Sequence, residues 1–392
     1  MEKIVRRTTA AGEPLIISYL HSVGRKKGVP ISTTFEITSR CNFDCKMCYI
    51  HTSDCNRCAE NELSAEQWID IARQARDAGT VFALITGGEP LLRRDFSRIY
   101  SAIKEMGMLV SVNTNGSLVK GEIAELFKQN PPVRLNISLY GASGKTYTDL
   151  CGGDYYAAVV ENIKNMAEAG IQIKLNMGIN PLNCGDLEQM LKIAKDLGLH
   201  ETATTYLYPP SRRIKGIFGS NPCRFSADEA AYYKVKYDYL SLGREEFLKR
   251  AEKIENGLSL YDECSDPAQE GSEMLCRAGK TTCWINYKGE MNACGLFSNG
   301  DCSVPELGYK ACWEKIRENT AAIKTPAKCV GCRYKKLCPT CAAVCKCETG
   351  YTHEAPDYVC ELSQATAKYL KLFGEKAKNE TEEGTVSEEC LR

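Results

Sequence analysis

"TSRCNFDCKMCYI", residues 38–50, sets Cys41, Cys45 and Cys48 within eight positions of one another, in C-x3-C-x2-C spacing. Thiols this crowded are disulfide-bonded in small secreted domains and metal-bound in chains kept in a reducing compartment. The number three is informative. A closed tetrahedral zinc site takes four protein ligands, whereas three thiolates on a [4Fe–4S] cluster leave one iron free to bind another molecule. A zinc site could use Cys45, Cys48, Cys55 and Cys58, but it would leave Cys41 idle. Its inner loop would also be shorter than the roughly 12 to 20 residues usual between two such pairs.

The surrounding chain alternates between two patterns. "STTFEI" (32–37), just before the cysteines, is rich in β-branched residues and predicts a buried strand. "VFALIT" (81–86), "MLVSVNT" (108–114), "VRLNISLY" (133–140), "IQIKLNMGI" (171–179) and "TATTYLY" (202–208) repeat it. Between them, "LSAEQWIDIARQARDAG" predicts a helix with Ser64 as N-cap and Gly79 as stop. "DFSRIYSAIKEMG", "EIAELFKQN", "YYAAVVENIKNMAEAG" and "DLEQMLKIAKDLG" have the same form. Six β/α units predict an α/β fold, a parallel sheet curled into a partial (β/α)6 barrel. Its active site is expected at the carboxyl ends of the strands. The three cysteines follow the first strand, and "TGGEP" (Thr86 to Pro90) closes the second.

Composition removes other classes. Lys plus Arg (50) balances Asp plus Glu (50), so net charge gives no reason to expect nucleic acid or an anionic membrane as partner. Hydrophobic residues make up 43% of 392, with no signal-peptide pattern at the start and no apolar run long enough to span a bilayer. The expected location is the cytoplasm. The chain has 22 cysteines, dense at 41–58 and again from Cys264 to Cys360, which implies two metal regions.

The triple cysteine, its place after the first strand and the downstream "GGEP" resemble the radical S-adenosylmethionine (radical SAM) superfamily over about residues 31 to 210. The resemblance implies that Cys41, Cys45 and Cys48 hold a [4Fe–4S] cluster whose open iron binds the amino and carboxylate groups of SAM. An electron from that cluster cleaves SAM to methionine and a 5′-deoxyadenosyl radical, which takes a hydrogen atom from the substrate. Gly87 and Gly88 let the backbone approach the methionine amine, and Glu89 adds an acceptor or holds the turn. Ser138, in "NISLYG", resembles a position that contacts the SAM carboxylate or ribose, with Asn115 and Asn176 as further candidates. The residue before the third cysteine, often aromatic in the family, is Met47 here; Tyr49 stands beside it for adenine packing.

Past residue 210 the alternation stops. "YPPSRR" breaks the chain, and 224–255 predicts helices joined at Gly243, with Tyr232, Tyr233, Tyr237 and Tyr239 as packing residues. Arg212 and Arg213 are read first as a solvated basic turn, with binding of a substrate carboxylate as the alternative. Further on, Cys276, Gly289 and Cys294 precede "CVGCRYKKLCPTC" and a lone Cys360, which resembles the SPASM domain with two auxiliary [4Fe–4S] clusters. The resemblance implies one cluster on Cys276, Cys294 and Cys341 with Cys283 as fourth ligand, and a second on Cys329, Cys332, Cys338 and Cys360. Cys338 and Cys341 are two residues apart where the family has three, so Cys345 and Cys347 compete for one ligand position. A structural zinc in this segment is the alternative.

Of the other cysteines, Cys151, Cys184, Cys223, Cys264, Cys302, Cys312 and Cys390 are read as small buried or free residues. Cys151, in "CGGDYY", is placed to meet a substrate. The domain reading is an extension (1–30), a barrel (31–210), a helical bridge (211–275), the auxiliary-cluster domain (276–360), and a closing helix with an acidic tail (361–392). The extension is too short for the winged-helix leader-binding domain of many peptide-modifying relatives.

As a class such enzymes imply a peptide substrate, with thioether or carbon–carbon crosslinking as the leading reaction, and an external electron donor of flavodoxin or ferredoxin type. Formylglycine formation is weaker, because those enzymes carry Asp where this chain has Gly295. Oxidation or rearrangement of a small molecule is the second enzymatic expectation, and a zinc-rich scaffold protein the non-enzymatic one.

Overall fold

Six strands form where β-branched residues cluster: β1 (Ser32–Glu36), β2 (Phe82–Thr86), β3 (Leu109–Thr114), β4 (Arg134–Ser138), β5 (Ile173–Gly178) and β6 (His200–Thr204). All neighbouring pairs among them are parallel, in the order β6-β5-β4-β3-β2-β1. The computed structural model describes residues 14–50, 62–214, 216–257, 276–296 and 302–379. Cys55, Cys58, Cys264, Cys390 and the acidic tail lie outside them.

The connecting helices have the apolar spacing that buries one face. After α1 (Leu15–Lys27), α2 (Ala65–Asp77) opens with a capping box: Ser64 Oγ accepts from Gln67 N at 3.2 Å, and Gln67 Oε1 accepts from Ser64 N at 2.8 Å. Trp68, Ile71 and Ala75 of that helix are buried, and the chain turns at Gly79 with φ +107°. α3 (Phe96–Glu105), α4 (Gly121–Gln129), α5 (Gly144–Cys151), α6 (Tyr156–Glu168) and α7 (Leu187–Asp196) complete the wrapping.

The sheet continues past β1, which the sequence did not reveal. β7 (Thr282–Ile285) pairs parallel with β1, Ser32 opposite Thr282 and Phe35 opposite Ile285. β8 (Met291–Asn292) returns antiparallel to β7. The hairpin of β7 and β8, turning at 286–290, extends the barrel sheet. Four and two residues are too short to register as strands beside the six longer runs.

Helices fill the remainder: α8 (Ala227–Leu242), α9 (Arg244–Gly257), α10 (Val304–Leu307), α11 (Tyr309–Ala321), α12 (Ala342–Thr349) and α13 (Asp357–Asn379). The bridge helices and the closing helix share a second apolar core of Val235, Phe247, Ala251, Leu370 and Phe373. Tyr232 and Tyr239 pack edge-on against Phe373 there, which confirms them as packing residues.

At the β1–β7 seam the fully buried Tyr309 hydroxyl meets Thr33 Oγ1 at 2.7 Å and Cys283 Sγ at 3.2 Å. Removing it strands buried polar partners, a loss of about 1–3 kcal/mol. Tyr309→Phe is therefore expected to lower the denaturant midpoint with iron content unchanged; an unchanged midpoint would show that the seam does not depend on this contact.

Candidate active site

The loop bearing the three cysteines is held from behind by the "TGGEP" turn. Gly88 N donates to Thr38 O at 2.9 Å and Glu89 N to Arg40 O at 2.7 Å. A Cβ on Gly87 would stand 2.5 Å from Thr38 O, and one on Gly88 2.4 Å from Arg40 O, so only glycine allows this approach. Glu62 holds the same segment by accepting from Thr38 Oγ1 and from Arg40 Nε and Nη2. Arg93 Nη1 adds a bond to Ile37 O at 2.8 Å.

Glu89 is fully buried, and its carboxylate accepts from Leu91 N, Thr114 Oγ1 and Asn115 N at 2.7–3.1 Å. Burial pushes its pKa up to about 7 against those three donors. Asn115, so positioned, directs Nδ2 to Asn42 Oδ1 at 2.9 Å and to Cys41 Sγ at 3.8 Å. Phe43 N also donates to Cys41 Sγ, at 3.4 Å. Such donors to sulfur tune the potential of a bound cluster. On the far side the loop rests on the end of α5, where Asp44 N donates to Cys151 O and Lys46 N to Leu150 O, both at 3.0 Å.

The three cysteines open onto a cavity of about 430 Å³ at the carboxyl ends of the strands, a size suited to a cofactor. Met47, Tyr49, Gly87, Gly88, Asn115, Ser138 and Asn176 all line it. Ser138, Asn176 and Thr202 stand in register across β4, β5 and β6 and form a polar row. Tyr49 faces Tyr208 with ring centroids 5.5 Å apart. Burial pushes the Tyr49 hydroxyl up to about 12, with Cys48, Glu36 and Cys294 adding to it and Arg212 opposing. Burial likewise raises Cys41 to about 12. Thiols held neutral in this way become ligands when a cationic metal centre offsets the desolvation. Three thiols lining one cavity that also carries a row of polar side chains fit a cluster with one open iron.

In the C-terminal half the cysteines separate into two groups. Cys276, Cys294 and Cys341 line one cleft. Cys329, Cys332, Cys338 and Cys360 line another cavity, of about 600 Å³. Cys341 is the N-cap of α12; burial pushes its thiol pKa up, against the opposing backbone N–H groups of Val344 and Ala343. Cys345 and Cys347 line neither space; Cys347 Sγ pairs with Ser211 Oγ at 3.4 Å. Among the described residues no three His, Cys, Asp or Glu side chains form a single-ion site.

Several expectations need correction. Glu89 does not line the cavity; it fixes Thr114 and Asn115. Cys283 does not join Cys276, Cys294 and Cys341, because β7 directs its side chain to Thr33 and Tyr309. Cys151 is fully buried behind Cys45 and outside the cavity lining. Arg212 pairs with the buried Glu36 at 2.8 Å, and Trp284 Nε1 donates to the same carboxylate at 2.6 Å. Arg213 faces outward to Asp44 at 3.4 Å.

Glu62, Thr202, Tyr206 and Tyr208 escaped the sequence reading. Glu62 sits in a loop with no motif, and the other three were absorbed into a strand pattern. Tyr206 OH donates to Glu348 Oε1 at 2.6 Å, and Arg224 pairs with Glu348, so α12 supports the cavity wall. Tyr208 lines the cavity, and burial raises its hydroxyl, with Cys341, Tyr49 and Cys294 adding.

Residues 35–208 match the family model of the Radical SAM superfamily. The chain is 34% identical over 176 residues to the probable GTP 3′,8-cyclase of Saccharolobus solfataricus, a match covering 44% of this chain and 56% of that protein. The chain thus spans little more than half the length of this relative. It is 23% identical to the AdoMet-dependent heme synthase of Methanosarcina barkeri, over 83% of this chain and 95% of that protein. The fold resembles the crystal structure of Streptococcus suis SuiB (TM-score 0.64, 19% identity, 88% of this chain and 81% of that one). It equally resembles anSMEcpe with bound AdoMet (TM-score 0.64, 13% identity, 90% and 96%).

Gly88→Ala would drive a methyl group into the backbone at Ser39 and Arg40. The expected outcome of anaerobic reconstitution is a loss of about four irons per chain relative to wild type. Full iron content would mean that the turn does not set the loop.

Proposed function

From the chain's membership of the radical SAM superfamily through residues 35–208, we propose that it removes a hydrogen atom from an unactivated carbon of a ribosomally made peptide, as a step toward a thioether or carbon–carbon crosslink. The observation that carries this reading is one cavity lined by Cys41, Cys45 and Cys48 together with the polar row Ser138, Asn176 and Thr202. In this reading the first three hold a [4Fe–4S] cluster. Cys276, Cys294 and Cys341, and separately Cys329, Cys332, Cys338 and Cys360, hold two auxiliary ones. Bound together at the cavity, the first cluster and SAM supply a reducing electron and a carbon-centred oxidant strong enough for an unactivated C–H bond.

The protein's own groups do the positioning. Ser138, Asn176 and Thr202 offer hydrogen bonds to the polar parts of SAM, and Tyr49 and Met47 offer apolar surface to its adenine. The buried walls exclude water from the reacting atoms. Support for a peptide comes from the fold shared with SuiB, also solved with its precursor peptide SuiA, and with anSMEcpe, also solved with the Cp18Cys peptide.

One observation favours a second reading, oxidation of a small molecule. The match to the heme synthase runs through both halves of the chain and covers 95% of that protein.

The test supplies the reconstituted protein with SAM, dithionite and peptides encoded beside its gene, and follows peptide mass and 5′-deoxyadenosine. Expected are loss of two hydrogen atoms from the peptide and transfer of deuterium from labelled peptide into 5′-deoxyadenosine, both abolished in a Cys41→Ala/Cys45→Ala/Cys48→Ala variant. Deuterium transfer from a carboxylated porphyrin, and none from peptide, would replace the peptide reading with the second.

A further inference from the structure

Met47 enters the cavity wall from the turn between two of the three cysteines, where Cys48 N donates to Cys45 O at 3.0 Å. Methionine alone makes an indefinite wall. Its unbranched thioether has three rotatable bonds and re-packs readily, and a side chain that is ordered only when a ligand arrives subtracts that lost freedom from binding. A fixed methionine needs an anchor.

The anchor lies just past β5. Asn180 Nδ2 donates to Met47 Sδ at 3.4 Å and to Gly178 O at 3.2 Å. The other end of the amide is committed, because Oδ1 accepts from Leu182 N at 2.9 Å, so the amino end is the one turned to the sulfur. Asn183 fixes the backbone of Asn180 in turn: its Oδ1 accepts from Asn180 N at 2.8 Å, while its Nδ2 donates to Tyr140 O and Gly178 O, both at 2.9 Å. Both asparagines are buried, and neither lines the cavity. Tyr140, Gly178 and Met47 do line it. A Cβ built on Gly178 would stand 3.7 Å from both Sδ and Cε of Met47, so the end of the thioether lies against that backbone. One satisfied buried network therefore holds the ends of β4 and β5 and the methionine together, and such networks impose a single arrangement.

We propose that Asn180 is a positioning residue for cofactor binding, holding the Met47 thioether in the arrangement that meets the adenine of SAM. The proposal rests on the radical SAM reading and deepens it. In that reading the amino and carboxylate groups of SAM belong to the cluster, so Asn180 governs the adenosine half alone.

The test uses the reconstituted, oxidised holoprotein, in which SAM is not cleaved, and measures the dissociation constants of SAM and of L-methionine by equilibrium dialysis. Met47→Leu keeps the volume and the apolar surface but offers no sulfur to Asn180. It is expected to weaken SAM binding by about threefold to tenfold, leaving methionine binding within about twofold and the iron content unchanged. Asn180→Ala is expected to do the same. In the double variant the second change adds less than about twofold, because both remove one contact. SAM affinity unaltered in Met47→Leu, equal losses of SAM and methionine affinity, or single effects that multiply in the double variant would each overturn the proposal. If Asn180→Ala fails to take up its iron, Met47→Leu, which leaves Asn180 bonded to Gly178 and Leu182, decides by itself. A wild type that holds its iron yet binds no SAM would strike the radical SAM reading, and the proposal with it; a wild type that binds SAM leaves the variants to judge the positioning role alone.

Discussion

Two backbone hydrogen bonds, Gly88 N to Thr38 O and Glu89 N to Arg40 O, fix the segment that leads into Cys41. Cluster ligation needs three thiols aimed at a common point, and a loop free to wander would lose that aim to conformational entropy. The chain prevents it from three directions. The glycine turn after β2 approaches from below, Glu62 accepts from Thr38 and Arg40 at the side, and the end of α5 supports Asp44 and Lys46. Glu89 then transmits the same constraint to β3 through Thr114 and Asn115, and Asn115 returns to Cys41. The "GGEP" motif therefore acts on the cysteine loop as much as on anything bound in the cavity.

The second constraint joins the two halves of the chain. Because β7 extends the barrel sheet at β1, the cysteine-rich half and the cavity share a hydrogen-bonded framework. Glu36, wholly buried at the end of β1, accepts from Arg212 and from Trp284 of β7. A buried carboxylate is tolerated only with such partners, so β1, the segment after β6 and β7 are fixed together. Glu348 on α12 does the same at the opposite wall through Tyr206 and Arg224. The arrangement holds Tyr49 against Tyr208 in the cavity wall, with ring centroids 5.5 Å apart.

Much of this was legible in the sequence where a pattern repeats. Six runs of β-branched residues separated by capped amphipathic helices give the barrel, and its topology brings Cys41, Ser138 and Asn176 to one end. Contacts between distant segments had no such signal. Glu62 sits in unpatterned chain, and Cys283 was assigned by family spacing although alternation along β7 points it at Tyr309. Arg212 looked available to a substrate because nothing nearby in sequence shows Glu36, 176 residues away, as its partner. Cys338 and Cys341 illustrate the reverse case: their spacing departs from the family's, yet the fold still sends them to separate groups.

In the proposed function Cys41, Cys45 and Cys48 hold a cluster whose open iron takes SAM. Electron–nuclear double resonance on the reduced, reconstituted protein with SAM labelled by 15N at the amine and 17O at the carboxylate tests it most directly. Hyperfine coupling of both labels to a [4Fe–4S] signal, lost when the three cysteines are replaced by Ala and retained when Cys329 and Cys332 are replaced, is the predicted result. Coupling that survives replacement of the three cysteines, or no coupling in the wild-type protein with all its iron in place, would contradict the account.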